Sequence, residues 1–163
     1  MPALRHGDRG KRLYRIWKNM RQRCFNPNCP AYPAYGGRGI SACKEWDDYL
    51  TFKEWALKNG YCDNLTLDRI NNNLGYSPEN CRWATIKEQS NNTRTNRVLS
   101  FNGQNRTMSQ WAETLGVCVA TLWDRLDNGW SVERTLTEPI HNNGSNRSQP
   151  PNCGAKMKEA LCE

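Results

Sequence analysis

Histidine is almost missing from this chain. Its 163 residues hold two, His6 and His141. The side chain that most often serves as a general base near neutral pH therefore has few places to come from. Phenylalanine (three) and methionine (four) are scarce as well, so a small core must draw on the seven Trp and six Tyr. Long apolar runs are absent. Mean hydropathy is −0.90, and no stretch approaches the roughly 20 apolar residues of a membrane span. Met1 to Gly7 lack an apolar leader core, so no secretion signal is expected and a cytoplasmic location is. In that reducing setting the eight cysteines are expected as thiols or metal ligands rather than disulfides. Negative charge is in the minority, with 23 Lys and Arg against 16 Asp and Glu, net +7. The pI near 9.1 favours a polyanion as partner, because each cation docked on a phosphate releases counterions.

What is present falls into segments. Residues 1–12 are a polar, basic arm. Leu13, Ile16, Trp17 and Met20 follow the spacing of one helical face and predict a helix over 13–23. Arg15 and its basic neighbours occupy the other faces, either as a solvated surface or as phosphate contacts. Residues 24–43 are rich in turn formers. Their Gly36-Gly37-Arg38-Gly39 run is a tight turn or a point of close approach to a groove, with Arg38 at its tip. Trp46, Tyr49, Phe52 and Ala56 predict an amphipathic helix over 45–59, stopped by Gly60.

The most informative stretch is Leu67-Asp68-Arg69-Ile70 … Tyr76-Ser77-Pro78-Glu79-Asn80-Cys81-Arg82-Trp83-Ala84-Thr85, followed by Lys87-Glu88-Gln89. It reads as strand, Asn/Gly/Pro loop, strand and polar helix. A carboxylate ending the first strand and an amide on the helix are positioned to meet at one hard cation. Beyond a basic connector at 93–100, residues 101–138 form a second module. Phe101-Asn102-Gly103-Gln104 is hairpin-like, and Ser109 is expected to cap a helix. Ala112, Gly116 and Thr121-Leu122 carry the spacing of a helix-turn-helix. Residues 139–163 are polar and expected to be disordered.

These stretches resemble the HNH, or ββα-metal, endonuclease family, and more narrowly its small phage-encoded members. The module at 101–138 is similar to the helix-turn-helix repeats that accompany such nucleases. The resemblance implies a divalent ion, Mg²⁺ or Mn²⁺, held by Asp68 and Gln89, with Asn80 bracing the loop. Arg69 falls where most members carry the histidine base. A guanidinium cannot accept a proton at useful pH, so Arg69 is expected to clamp the scissile phosphate, and Tyr76 is the expected water activator. The resemblance also picks out His6, Cys24, Cys43 and Cys81 as a candidate structural zinc set, against the alternative that the thiols are small buried hydrophobes. Cys62 and Cys118 are assigned to packing.

The expected fold is α+β: N-terminal helices on a ββα-metal core (1–92), a basic linker (93–100), a three-helix helix-turn-helix module (101–138) and a tail (139–163). The expected function is metal-dependent hydrolysis of double-stranded DNA, in a bacterial or phage-infected cell. Arg15, Arg38, Arg82, Arg94, Arg97, Thr121 and Arg125 are the expected DNA contacts. The alternative is a catalytically inactive DNA-binding protein that regulates or blocks host defence. Monomer and dimer are both compatible with the sequence.

Overall fold

A computed structural model describes residues 7–139. They form a mixed α+β structure with two two-stranded antiparallel sheets, in two compact units divided between Arg94 and Thr95. Among the described residues no helix is long and apolar enough to cross a membrane. The expected tail and His6 lie outside the described residues.

In the first unit, α1 (Arg12–Phe25) buries Leu13, Met20 and Cys24 on one face. Short 3-10 turns at Tyr32–Ala34 and Gly36–Arg38 follow. The single amphipathic helix expected over 45–59 is divided. A 3-10 turn spans Lys44–Asp47, and α2 starts afresh at Tyr49–Lys58. The break is local chemistry, because the Asp48 carboxylate accepts the Thr51 backbone N–H at 3.1 Å and so caps the new helix. Strands β1 (Thr66–Arg69) and β2 (Cys81–Ala84) pair with Asp68 opposite Arg82 and Arg69 opposite Cys81. Helix α3 (Ile86–Asn91) follows at once. Its Thr85–Glu88 capping box satisfies the first free backbone donors.

The core of this unit is aromatic. Trp46 lies 5.1 Å from Phe52 and 4.6 Å from Trp55, centroid to centroid, and Trp83 of β2 lies 4.9 Å from Tyr61. The Trp17 indole N–H donates to the Trp46 carbonyl at 2.8 Å, locking α1 to the 3-10 turn. Asp8 fastens the start of the described chain. It is buried, and it accepts from Lys53 (2.6 Å) and the Tyr49 hydroxyl (3.2 Å) and pairs with Lys11 (2.7 Å). No strand forms at Ile40 to Cys43. Ala42 makes a single parallel bridge to Tyr76 instead.

In the second unit, β3 (Val98–Phe101) and β4 (Gln104–Thr107) form a hairpin. Asn102 (φ 48°) and Gly103 (φ 74°) make its two-residue turn, which needs positive φ at both positions. Since β3 begins at Val98, the expected linker over 93–100 is shorter than its basic composition suggested. Helix α4 (Met108–Leu115) is capped by Thr107, not Ser109, through a reciprocal pair with Gln110. Gly116 (φ 65°) turns the chain toward α5 (Val119–Asp127), and α6 (Val132–Thr137) completes the unit. Leu99, Met108, Trp111, Ala112, Leu122 and Leu136 are its core. Cys118, assigned to packing, is exposed ahead of α5.

The glycine run at 36–39 is a packing device. A Cβ on Gly36 would overlap the Cys24 carbonyl oxygen and the Tyr32 ring. Gly36→Ala is expected to lower unfolding free energy by about 1–3 kcal/mol through overpacking. Gly10→Ala, which meets open space, should stay within about 0.5 kcal/mol of wild type. Urea denaturation of the two variants checks this contrast.

Candidate functional site

The loop from Ile70 to Asn80 has many backbone groups and no ladder to pair them. Asn80 supplies the partners. Its Nδ2 donates to the carbonyls of Asn71 (3.1 Å) and Gly75 (2.8 Å), and its Oδ1 accepts the Asn71 N–H (2.9 Å). The far side of the loop is pinned where Tyr76 N–H donates to Ser41 and Cys43 N–H donates to Tyr76, each at 2.8 Å. Bracing the loop is the part expected of Asn80.

This bracing encloses a cavity of about 300 Å³ beside β1 and α3. Asp68, the one carboxylate in its wall, is 4 % exposed. Arg82, its partner across the strands, donates from Nε at 3.2 Å while its side chain stays half-exposed. Asn92, the residue after α3, approaches from the other side. Its Nδ2 lies 3.1 and 3.0 Å from the two Asp68 carboxylate oxygens and 2.6 Å from the Arg69 carbonyl oxygen. Three oxygens thus converge on a nitrogen with two hydrogens. Gln89 lines the same cavity, but its Nε2 donates to the Leu67 carbonyl at 3.3 Å rather than meeting Asp68.

Arg69 is buried with its guanidinium 5.0 Å from the centroids of both Tyr35 and Tyr76. One Nη donates to the Leu74 carbonyl at 2.9 Å, which aims the fork. The two tyrosine rings are near-parallel, 6.4 Å apart. Burial pushes the Tyr76 phenol far above its ordinary range, and the Arg23 and Arg69 charges only partly oppose this. Tyr76, the expected water activator, lines the cavity and stacks on Tyr35, and its burial works against loss of the phenol proton. Residues 7–139 contain no histidine.

The expected zinc ligands are differently disposed. Cys24 and Cys81 are buried and Cys43 half-buried, all free thiols. Burial raises each of the three, Cys81 to about 12. Among the described residues no three His, Cys, Asp or Glu side chains are grouped to hold a metal. The expected DNA contacts are also unequal. Arg15, Arg94 and Arg97 are exposed. Arg38 donates to the Ala34 carbonyl and to Asn73 Oδ1, and Thr121 is half-buried. Arg125 is engaged inside its own unit. Its guanidinium donates to the carbonyls of Thr135 (2.9 Å), Glu138 (2.8 Å) and Pro139 (3.0 Å), closing the end of α6.

Tyr35 and Asn92 are among the wall residues that the sequence reading did not single out, whereas Arg23 belongs to the basic face of α1 already read as a candidate phosphate contact. Asn92 had a usable signal, since it follows Gln89 by three positions and so shares its helical side. Tyr35 had none, because only the path of the 26–40 loop brings it to β1. No model of a protein family matches the chain, and neither a characterised protein nor a solved structure does.

Buried thiols and phenols bind protons more tightly folded than unfolded. Their stabilisation is complete below the unfolded thiol range and is lost as pH rises from about 9 toward 12, the window set by Cys81 and by Tyr49, which burial also lifts to about 12. Urea midpoints should fall across that interval, and Cys81→Ala should flatten the fall. Asn80→Ala should cost about 1–3 kcal/mol by leaving loop carbonyls unpaired, read from the same titrations at pH 7.

Proposed function

We propose that this chain is a metal-dependent DNA endonuclease of the HNH, ββα-metal type, of the small phage or mobile-element kind, acting on double-stranded DNA in a bacterial or phage-infected cytoplasm. The observation that carries this reading is the convergence of Asp68 and the Arg69 carbonyl on the Asn92 amide, inside a cavity otherwise lined by Arg23 and Arg69. Three oxygens already gathered around the positive end of an amide are the kind of donor set a hard divalent cation takes. The residues that would hold Mg²⁺ or Mn²⁺ are Asp68 and Gln89, with Asn92 joining them once its amide turns over to present oxygen where its nitrogen now meets Asp68. Such an ion, when bound, supplies Lewis-acid stabilisation of the phosphate and acidifies water.

The protein's own groups do the rest. The Arg69 fork, aimed by Leu74 and set against the two tyrosine rings, holds a non-bridging phosphate oxygen and opposes charge that builds there. Arg82 neutralises Asp68 from the solvent side. Asn80 keeps the loop from folding into the cavity. Residues 95–139 are read as a helix-turn-helix module on the strength of the α4–Gly116–α5 turn. Phosphate attraction comes mainly from the first unit. Residues 1–94 carry sixteen Lys and Arg against nine Asp and Glu, whereas residues 95–139 carry four against five.

A second reading, a DNA-binding protein without turnover, is favoured by one specific observation. The described cavity holds no histidine, and burial of the Tyr76 phenol opposes its ionisation. Plasmid nicking in Mg²⁺ or Mn²⁺ separates the two. Wild type should relax supercoiled DNA, and Asp68→Ala should cut at least about a hundredfold more slowly, the scale of losing one group that stabilises transition-state charge. Asn92→Ala should slow cutting more than Gln89→Ala does. A wild-type protein that retards plasmid on a gel but leaves it supercoiled with either metal hands the case to the second reading.

A further inference from the structure

Arg23 and Arg69 share the same tyrosine pair. The Arg23 guanidinium lies 4.9 Å from the Tyr35 centroid and 5.9 Å from that of Tyr76, against 5.0 Å to each for Arg69. Among the described residues neither arginine has a carboxylate partner, and Asp68, the nearest acid in the wall, is already engaged by Arg82. Two like charges held on one aromatic platform without a counter-charge repel each other, and an anion between or beside them relieves that repulsion. The platform fixes both forks. Arg23 Nη1 donates to the Tyr35 hydroxyl at 3.4 Å and its Nε to the Asn19 carbonyl at 3.3 Å.

The cavity also continues outward. A second hollow of about 340 Å³ shares Arg23, Leu67 and Gln89 with the first and runs back along α1 past Asn19, Ile16 and Arg12. Those four α1 positions, 12, 16, 19 and 23, recur at helical spacing and form one face. No carboxylate other than Asp68 lines either hollow. The result is a trough between α1 and α3, with guanidiniums at both ends and in its middle, ending at Asp68.

We infer that this trough is a track for one polynucleotide strand, and that Arg23 is a second phosphate clamp, gripping the phosphodiester next to the one held by Arg69. The inference deepens the nuclease reading by naming where the strand runs, but the clamp itself requires only binding. A strand entering along α1 meets Arg12, whose guanidinium also donates to the Leu65 carbonyl, and about three helical turns further on it meets Arg23 and then Arg69, so neighbouring phosphates fall to Arg23 and Arg69. Bidentate Arg–phosphate pairing suits the forked donors. Ile16 and the Tyr35 ring give sugar and base an apolar wall, in the manner of other single-strand grooves.

The test reads binding alone, in EDTA, so that no cleavage enters. Fluorescence anisotropy of a labelled single-stranded DNA 12-mer is followed as salt is raised, with a blunt duplex of the same sequence as the second arm. Arg23→Gln should reduce the slope of log K against log salt by roughly 0.7 on the single strand and roughly 0.9 on the duplex, one phosphate contact in each case. Lys58→Gln, at the end of α2, should change neither slope by a full contact. Arg23→Lys keeps the charge and loses the fork, so the slope should hold while affinity drops about fivefold. A folded Arg23→Gln protein with the wild-type slope overturns the clamp, and so does an Arg23→Lys protein with unchanged affinity should the Gln variant fail to fold. A change confined to the duplex arm overturns the single-strand track. Failure of plasmid nicking, by contrast, removes the nuclease reading and leaves these slopes as they are.

Discussion

One side-chain amide governs the geometry of the first unit. Between β1 and β2 the chain must cross eleven residues without a ladder, next to a cavity. Asn80 meets this by offering two donors and one acceptor to Asn71 and Gly75 at once. A hydroxyl or carboxylate cannot match that pattern, because it lacks the paired N–H groups. With the loop closed on itself, Leu74 turns a carbonyl toward Arg69, and Tyr76 is held against Ser41 with its ring over the arginine. Asp68, one residue earlier on β1, lines the cavity beside it.

Around this brace, aromatic packing substitutes for a larger aliphatic core. Trp46, Phe52, Trp55 and Trp83 touch edge to face or tilted, and each buries more area than a leucine would. That mass joins α1, the 3-10 turns and α2 to the short sheet, so the cavity wall is built on rigid elements. The charged groups inherit their positions from it. Arg23 leaves the last turns of α1 and Arg69 the end of β1, and the two meet over Tyr35 because the loop after α1 folds back on Cys24 at Gly36. A methyl group there would collide with the Cys24 carbonyl oxygen and the Tyr32 ring.

The two units divide their electrostatics. Nearly all surplus positive charge lies in residues 1–94, while the second unit is close to neutral and its α5 exposes Asp124 and Asp127. Arg125, the cation of α5, closes α6 instead of facing outward. A helix with that surface gains little from phosphate attraction, and any sequence reading it performs has to come from base edges or shape.

Much of this was legible in the chain. The Leu13/Ile16/Trp17/Met20 stripe marks α1, the Asn102-Gly103 pair marks a two-residue hairpin, and Asp68, Asn80 and the short polar helix follow one another at fixed spacing. Local chemistry decides such features, since periodicity, positive φ and capping act over a few residues. Other features depended on the folded chain. Asp48 overrode an amphipathic stripe and split one expected helix. Asn92, not Gln89, met the carboxylate, because Gln89 is held by the Leu67 carbonyl while the residue that ends α3 carries its amide to Asp68. The burial of Tyr76, which opposes ionisation of its phenol, is announced by no residue type. What the sequence settled alone was the inventory: a basic, histidine-poor, aromatic-rich chain with one carboxylate at a strand end. Which of those groups touch was left to packing between segments far apart in sequence, from Asp68 and Arg82 to Arg23 and Tyr76, where distance in space bears no relation to distance along the chain.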